Sequence, residues 1–204
     1  MNQDIDTSAR LERESLKLFA DKGFRGATVR EITRAAHANL GAVTYHFGSK
    51  RALHHAVLDR VLGGLALRVE AAAATPGTAP ARLGAIVRAL FAFFAEVPDA
   101  PRLVMHELAV GGPPPEPFLR LMRRVMAAVH AVVRDGQARG ELRPVDPLFV
   151  AFTLTSQSVW FALVGRHVIP TALPELDPVT LGPRFADHIT ETVTRALHPE
   201  AGPP

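Results

Sequence analysis

Residues 28–53 read TVREITRAAHANLGAVTYHFGSKRAL. Thr28 followed three residues later by Glu31 is a capping-box pattern, in which the two side chains satisfy each other's free backbone N–H groups and launch a helix. The spacing predicts a short helix from Thr28 to about Ala36, a turn at His37-Ala38-Asn39, and a second short helix over about 40–46 with Asn39 as its cap. Gly48-Ser49 then restarts the chain as a long helix, with Ser49 capping it. Two short helices joined by a three-residue turn form a helix-turn-helix pattern, in which the second helix enters the major groove of DNA. The side chains on and after that helix suit this reading. Tyr45, the only tyrosine, and His46 offer compact donors to phosphate, and the Tyr45 ring can lie against a sugar or a thymine methyl. Lys50 falls in the first turn of the next helix, where free backbone N–H groups also favour an anion.

The charge distribution supports a polyanion partner. The net charge is only +3, but residues 1–60 carry ten Lys/Arg against seven Asp/Glu, while residues 61–204 carry thirteen of each. Within 22–60, seven basic residues face only Glu31 and Asp59. With 48 % hydrophobic and 21 % charged residues the 204-residue chain has a globular composition. It has no cysteine, which excludes disulfides, thiolate metal sites and cysteine nucleophiles. The opening MNQDIDTSARLERE lacks a basic start followed by an apolar run, so a cytoplasmic location is expected.

Outward from the opening stretch the pattern is helical throughout, and no strand alternation is sustained. A first helix is expected from about Ser8 to Lys22, with Leu11, Ser15, Leu18 and Phe19 on one face and Gly23 as its stop. After the long fourth helix, further helices are expected at about 80–96, 99–110, 117–139, from Pro147, and at 179–197, separated by breaks at TPGT (75–78) and GGPPPEP (111–117). That makes about nine. Residues 1–6 and the tail 198–204 are expected to be disordered. Residues 147–165 hold no charge over 19 positions, barely a membrane crossing in length. Thr153, Thr155, Ser156, Gln157 and Ser158 cluster at the middle, so the segment reads as a helix buried in a core or against another subunit.

Residues 8–55 resemble the DNA-binding segment of the tetracycline-repressor (TetR) family of bacterial transcriptional regulators. The family pattern LF-x-x-x-G, T-x-x-x-I and Y-x-F-x-x-K-x-x-L is carried here by Leu18-Phe19 and Gly23, by Thr28 and Ile32, and by Tyr45, Phe47, Lys50 and Leu53. The wording YHFGSK, with RLVMHEL and ELRPVDP further on, is similar to the CecR-like regulators within that family. The resemblance implies an all-α fold: a three-helix DNA-binding domain over 1–55, then a larger helical ligand-binding and dimerisation domain over 56–204. It implies that Phe19, Val29, Ile32, Val43, Phe47 and Leu53 form the small core, with Ala35 and Ala38 packing the turn. It implies further that Thr28, Tyr45, His46 and Lys50 contact phosphates, and that Leu40, Gly41, Ala42 and Thr44 face base edges beside Arg30 and Thr33. Leu40 can touch thymine methyls but cannot bond guanine. His37 stands where the family usually has Gly, and His is among the few other residues that tolerate φ > 0.

By the same resemblance the chain is expected to be a homodimeric repressor, its last two long helices pairing two subunits in a four-helix bundle. It would bind a double-stranded, pseudo-palindromic operator and be released by a small, partly apolar effector. For the effector pocket, Phe91, Phe94, Met105, Met122, Met126, Phe152, Trp160 and Phe161 are the apolar candidates. Phe149, Thr153, Gln157 and Trp160 form a stripe along the helix from Pro147 that is the favoured wall, and His106 and Glu107 are the candidate polar anchors. Trp160, the only tryptophan, is expected to face that pocket. Metal and catalytic arrangements are weak. His55/Asp59 and His188/Glu191 lack a third ligand, and no phosphate loop, nucleophile elbow or HExxH occurs, so neither an enzyme nor a cofactor is expected. A DNA-binding regulator without a ligand, and a small helical enzyme, are the alternatives.

Overall fold

A computed structural model of the chain describes residues 2–109 and 111–199, with the side chains of 2–5, 166, 167 and 178 excepted. Among the described residues there are ten helices and no strand: α1 (Asn2–Gly26), α2 (Val29–Ala35), α3 (Ala42–Phe47), α4 (Lys50–Ala73), α5 (Ala79–Glu96), α6 (Ala100–Ala109), α7 (Glu116–Ala138), α8 (Pro147–His167), α9 (Ile169–Ala172) and α10 (Pro178–Leu197). The chain divides into two compact units, one comprising 1–64 with 99–120 and the other 65–98 with 121–204.

In the first unit α1 breaks at Gly23, whose φ of 68° and ψ of 175° are open to glycine alone. A side chain there would also meet the His106 ring, since Nδ1 lies 3.1 Å from where a Cβ would stand. The helix begins at Asn2, earlier than the apolar spacing suggests, because its first turns are polar; an Asp6–Arg10 pair at i,i+4 spans them. Leu11, Phe19, Ile32, Val43 and Leu53 are fully buried and form the core of this unit. Val29 and Phe47 are half-buried at its edge. The turn packs through Ala36 rather than Ala35, which is exposed. On a helix Ile32 and Thr33 share a face with position 36, one full turn on. Ser15 is buried on the α1 face without a hydrogen-bond partner for its hydroxyl.

The turn between α2 and α3 is a Schellman motif. The Ala38 N–H donates to the Thr33 carbonyl (2.8 Å) and the His37 N–H to that of Arg34 (3.2 Å). The motif demands a left-handed residue, and His37 occupies that position with φ 51°, the only positive φ outside glycine among the described residues.

In the second unit α5, α8 and α10 pack on one another. Gly84 lets α5 and α10 approach closely, for a Cβ there would stand 2.7 Å from Thr190 Cγ2. α7 buries Val125, Val129, Val132 and Val133, and on another face Arg124 grips Glu70 with two bonds of 2.7 and 2.6 Å. The segment Pro147–Gly165 of α8 is long and apolar enough to cross a membrane, with mean hydropathy 1.6. It is instead a packed helix. Ala151, Leu154 and Ser158 are buried, and α5 and α10 cover that side. α9 is one turn that the sequence pattern missed, a Val168–Leu173 stretch too short to show periodicity. Residues 200–204 of the expected disordered tail lie outside the described residues.

Replacing His37 by Gly relieves the cost of a side chain in the left-handed region. It is expected to raise the unfolding free energy by about 0.5–1 kcal/mol, read as a higher midpoint in urea. A lower midpoint would show that the His37 side chain makes favourable interactions that outweigh its backbone strain.

Candidate nucleic-acid interface and ligand cavity

The capping box that opens α2 is fully formed. The Glu31 carboxylate accepts from Thr28 N–H (2.9 Å) and Thr28 Oγ1 (2.7 Å), Thr28 Oγ1 accepts from Glu31 N–H (3.2 Å), and Lys22 Nζ lies 2.7 Å from Glu31. Lys22 and the two Thr28 bonds hold the Glu31 carboxyl down at about 2, well below its ordinary 4.5. Lys50 secures the other side of this start. Its Nζ donates to the Ala27 carbonyl (2.7 Å) and stands 4.4 Å from the centre of the Phe24 ring, and partial burial pushes its ammonium below the usual range. Lys50 is therefore first a strut between α4 and the segment leading into α2. An ammonium has three donors, so two stay available to a phosphate.

α3 follows with Gly41 as N-cap and no side-chain cap. Asn39 takes part through its carbonyl, which accepts from Ala42 N–H (2.9 Å), and not through its side chain as the sequence suggests. α3 buries Val43 alone among its six residues. Leu40 (57 % exposed), Gly41, Thr44 and Tyr45 (76 % exposed) point outward together, and Ala42 and His46 are half-exposed beside them. The rings of Tyr45 and His46 meet edge to face at 4.8 Å. Arg30 on α2 is exposed, as is Thr28 at its cap. Thr33 does not join this surface: it is buried, and its hydroxyl donates to the Val29 carbonyl (3.0 Å). It lies on the same face as Ile32 and Ala36, which the core claims.

Electrostatics single out four arginines, Arg30 among them. Of the seven basic residues in 22–60, Lys22 pairs with Glu31 and Arg60 with Glu12, and Lys50 is committed as above. Arg25, Arg30, Arg34 and Arg51 are exposed and form no ion pair among the described residues. Only Arg30 was expected at the surface; Arg25, Arg34 and Arg51 were legible as charge but not as site residues. Behind this surface a buried pair joins α4 to α6, His54 Nε2 lying 3.0 Å from Glu107 Oε1, with the Phe19 and Phe24 rings against the imidazole at 4.7 and 4.9 Å.

The second unit holds a cavity of about 650 Å³ walled by α5, α8 and α10. Phe91, Phe94, Phe161, Ala162 and Gly165 give it an apolar wall, Ser158 adds a hydroxyl, and Arg88 and Asp187 are its charged groups. Behind the wall Phe161 stacks on Phe185 at 5.1 Å, and Phe91 closes the cluster at 5.4 Å from Phe161. Of the residues expected to line a pocket, Phe91, Phe94 and Phe161 line this cavity. Met105 and His106 belong to the first unit, Met105 exposed and His106 against Gly23. Met122 and Met126 are half-buried on α7, away from the cavity. Thr153, Gln157 and Trp160 lie on the opposite, exposed face of α8 together with Phe149 (65 % exposed) and Phe152. Residues 147–165 of α8 carry no charge, so composition did not say which face turns inward. Among the described residues no three His, Asp or Glu side chains converge on a metal position.

Comparison with known proteins agrees with this arrangement. The profile of bacterial regulatory proteins of the tetR family matches residues 13–57, and that of the tetracyclin repressor-like C-terminal domain matches residues 80–175. The chain belongs to the TetR family. The probable HTH-type transcriptional regulator YttP of Bacillus subtilis is 30 % identical over 74 residues, 36 % of each chain, so the match spans about a third of that relative's length. A tetR-family regulatory protein of Rhodococcus RHA1 shares the fold at TM-score 0.74 and 24 % identity, covering 92 % of this chain and 96 % of that one. So does the regulator FadR of Bacillus subtilis, solved with stearoyl-CoA, at TM-score 0.74, 13 % identity and coverage of 93 % and 99 %. These matches do not reach the CecR-like subgroup.

The Glu31 carboxyl gives the TetR-family reading head a defined acid response. Its folded value is depressed, so the stability it contributes is whole above about 4.5 and is lost as pH falls towards 2. The difference in melting temperature between the native chain and Glu31→Gln should shrink steadily between pH 5 and about pH 2. A difference independent of pH over that window would mean that the carboxylate charge is not what fixes the start of α2.

Proposed function

We propose that this chain is a homodimeric, cytoplasmic, sequence-specific DNA-binding repressor, released from a pseudo-palindromic double-stranded operator by a small, partly apolar effector. The observation that carries the proposal is the outward face of α3. The helix keeps only Val43 fully in the core, and the same N-terminal segment carries four exposed arginines, Arg25, Arg30, Arg34 and Arg51, with no ion pair among the described residues. A compact helix edge flanked by free guanidinium groups is what a major groove between two phosphate walls accepts. Thr28, Tyr45, His46, Lys50 and Arg51 hold phosphates in this reading, while Leu40, Gly41, Ala42 and Thr44 meet base edges with Arg30 beside them.

The apolar outer face of α8, carrying Phe149, Phe152 and Trp160, supports pairing with a second copy. Three large exposed aromatic side chains on one helix face are what an interface buries. A two-fold pair would set two α3 helices about one DNA turn apart. Trp160 then reports on that interface and not on the cavity. The aromatic cavity supports an effector with an apolar body, and the stearoyl-CoA held by the similar Bacillus subtilis regulator is of that kind. Such a molecule releases DNA only by binding the DNA-free form more tightly than the DNA-bound form. No enzymatic step is assigned.

The test is binding of a duplex, selected from a random pool by the full-length chain, measured across a salt series. Arg51→Gln should weaken binding to every sequence alike and flatten the slope of log affinity against log salt by roughly 0.9 for each phosphate that the variant leaves unneutralised. An unchanged slope would show that Arg51 holds no phosphate, and no binding at low salt would end the DNA-binding reading.

A further inference from the structure

The turn and helix that face outward carry an unusual set of groups for reading bases. From His37 to Phe47 there is no Arg, Lys or Gln. The side chains able to grip guanine O6 and N7 bidentately are therefore missing from this segment. What stands at its leading edge is Asn39 and Leu40. Both are exposed, and the Asn39 amide has no hydrogen-bond partner among the described residues, its carbonyl alone being used in the turn. Gly41, next in line, has φ −75°, and a Cβ placed there would meet nothing within 4 Å. The fold does not require glycine at 41; its effect is to leave the edge of α3 flat beside Leu40.

We infer that Asn39 and Leu40 together read adjacent A·T pairs in the major groove, Asn39 bonding adenine N6 and N7 and Leu40 covering the 5-methyl group of thymine. An exposed leucine has no other favourable partner in a groove. Thymine alone among the four standard bases presents a methyl there, and an asparagine amide matches the donor and acceptor of adenine. Burying one methyl against an aliphatic side chain is worth about fourfold in affinity, and a bidentate amide contact about tenfold or more. Ala42 and Thr44, small and further along the same helix, let the segment seat deeply enough for these contacts to form.

The inference rests on the proposed DNA-binding function and is tested apart from it. The best duplex selected from a random pool by the full-length chain is resynthesised with single thymines replaced by uracil, which removes only the methyl, or single adenines by 7-deazaadenine, which removes only N7. At one thymine per half-site uracil should cost about fourfold, and the same uracil should cost nothing further to Leu40→Ala. At one adenine per half-site 7-deazaadenine should weaken binding severalfold for the native chain and have little effect on Asn39→Ala. Both positions are exposed, and unchanged melting temperatures for the two variants verify their folding. Full tolerance of uracil throughout the duplex, or an undiminished uracil effect in Leu40→Ala, overturns the inference while DNA binding stands. Failure to retain any duplex at low salt overturns both.

Discussion

The structure of the helix-turn-helix depends on the burial of Val43, in a unit whose core also holds Leu11, Phe19, Ile32 and Leu53. α3 is six residues long with no side-chain cap, and an isolated helix of that length has no stability in water. Tertiary packing therefore makes it a helix. A single buried side chain also sets its rotation, and with it the identity of every residue on the exposed face. Once Val43 is in, Thr44 and Tyr45 turn out, while Leu40, ahead of the helix, is exposed by the turn that precedes it. The capping box at Thr28 and Glu31 and the Lys50 strut to Ala27 serve the same end, since they fix the start of α2 and hence the angle at which α3 is delivered.

Much of this is legible in the order of residues alone. A capping box is a local chemical device, so Thr28-x-x-Glu31 announces the helix and the structure forms it. His37 is legible for a similar reason, because few side chains accept a left-handed backbone and the turn demands one. The misreadings in this unit come from rotation about short helices. Thr33 is expected outward and Ala35 inward because seven residues give too little periodicity to fix a face. The core decides otherwise by taking Ile32, Thr33 and Ala36. Asn39 looks like a cap by residue type, but the Schellman turn brings its carbonyl, not its side chain, to the start of α3.

The second unit is less legible, for a reason that applies to any long helix stretch without charge. α8 has phenylalanines on both sides and its polar residues in one central cluster, so neither a charged face nor a period tells inside from outside. The stripe Phe149, Thr153, Gln157 and Trp160 is a real helical face, but it is the outer one. On the inner side Phe161, one of the expected aromatics, joins Ser158, Ala162 and Gly165 in the cavity wall. Met105 and His106 lie away from this cavity's lining for a different reason. α6 belongs to the first unit, where His106 covers the Gly23 break, and that long-range placement leaves no mark on the local sequence.

The central claim is that the outward face of α3 is the surface that holds DNA. The most direct measurement is duplex affinity after Thr44→Glu, which puts a negative charge on that face at an exposed position outside the core. The account predicts a loss on the order of a hundredfold for every duplex, with the melting temperature unchanged. Undiminished affinity for DNA in a folded Thr44→Glu chain would contradict it.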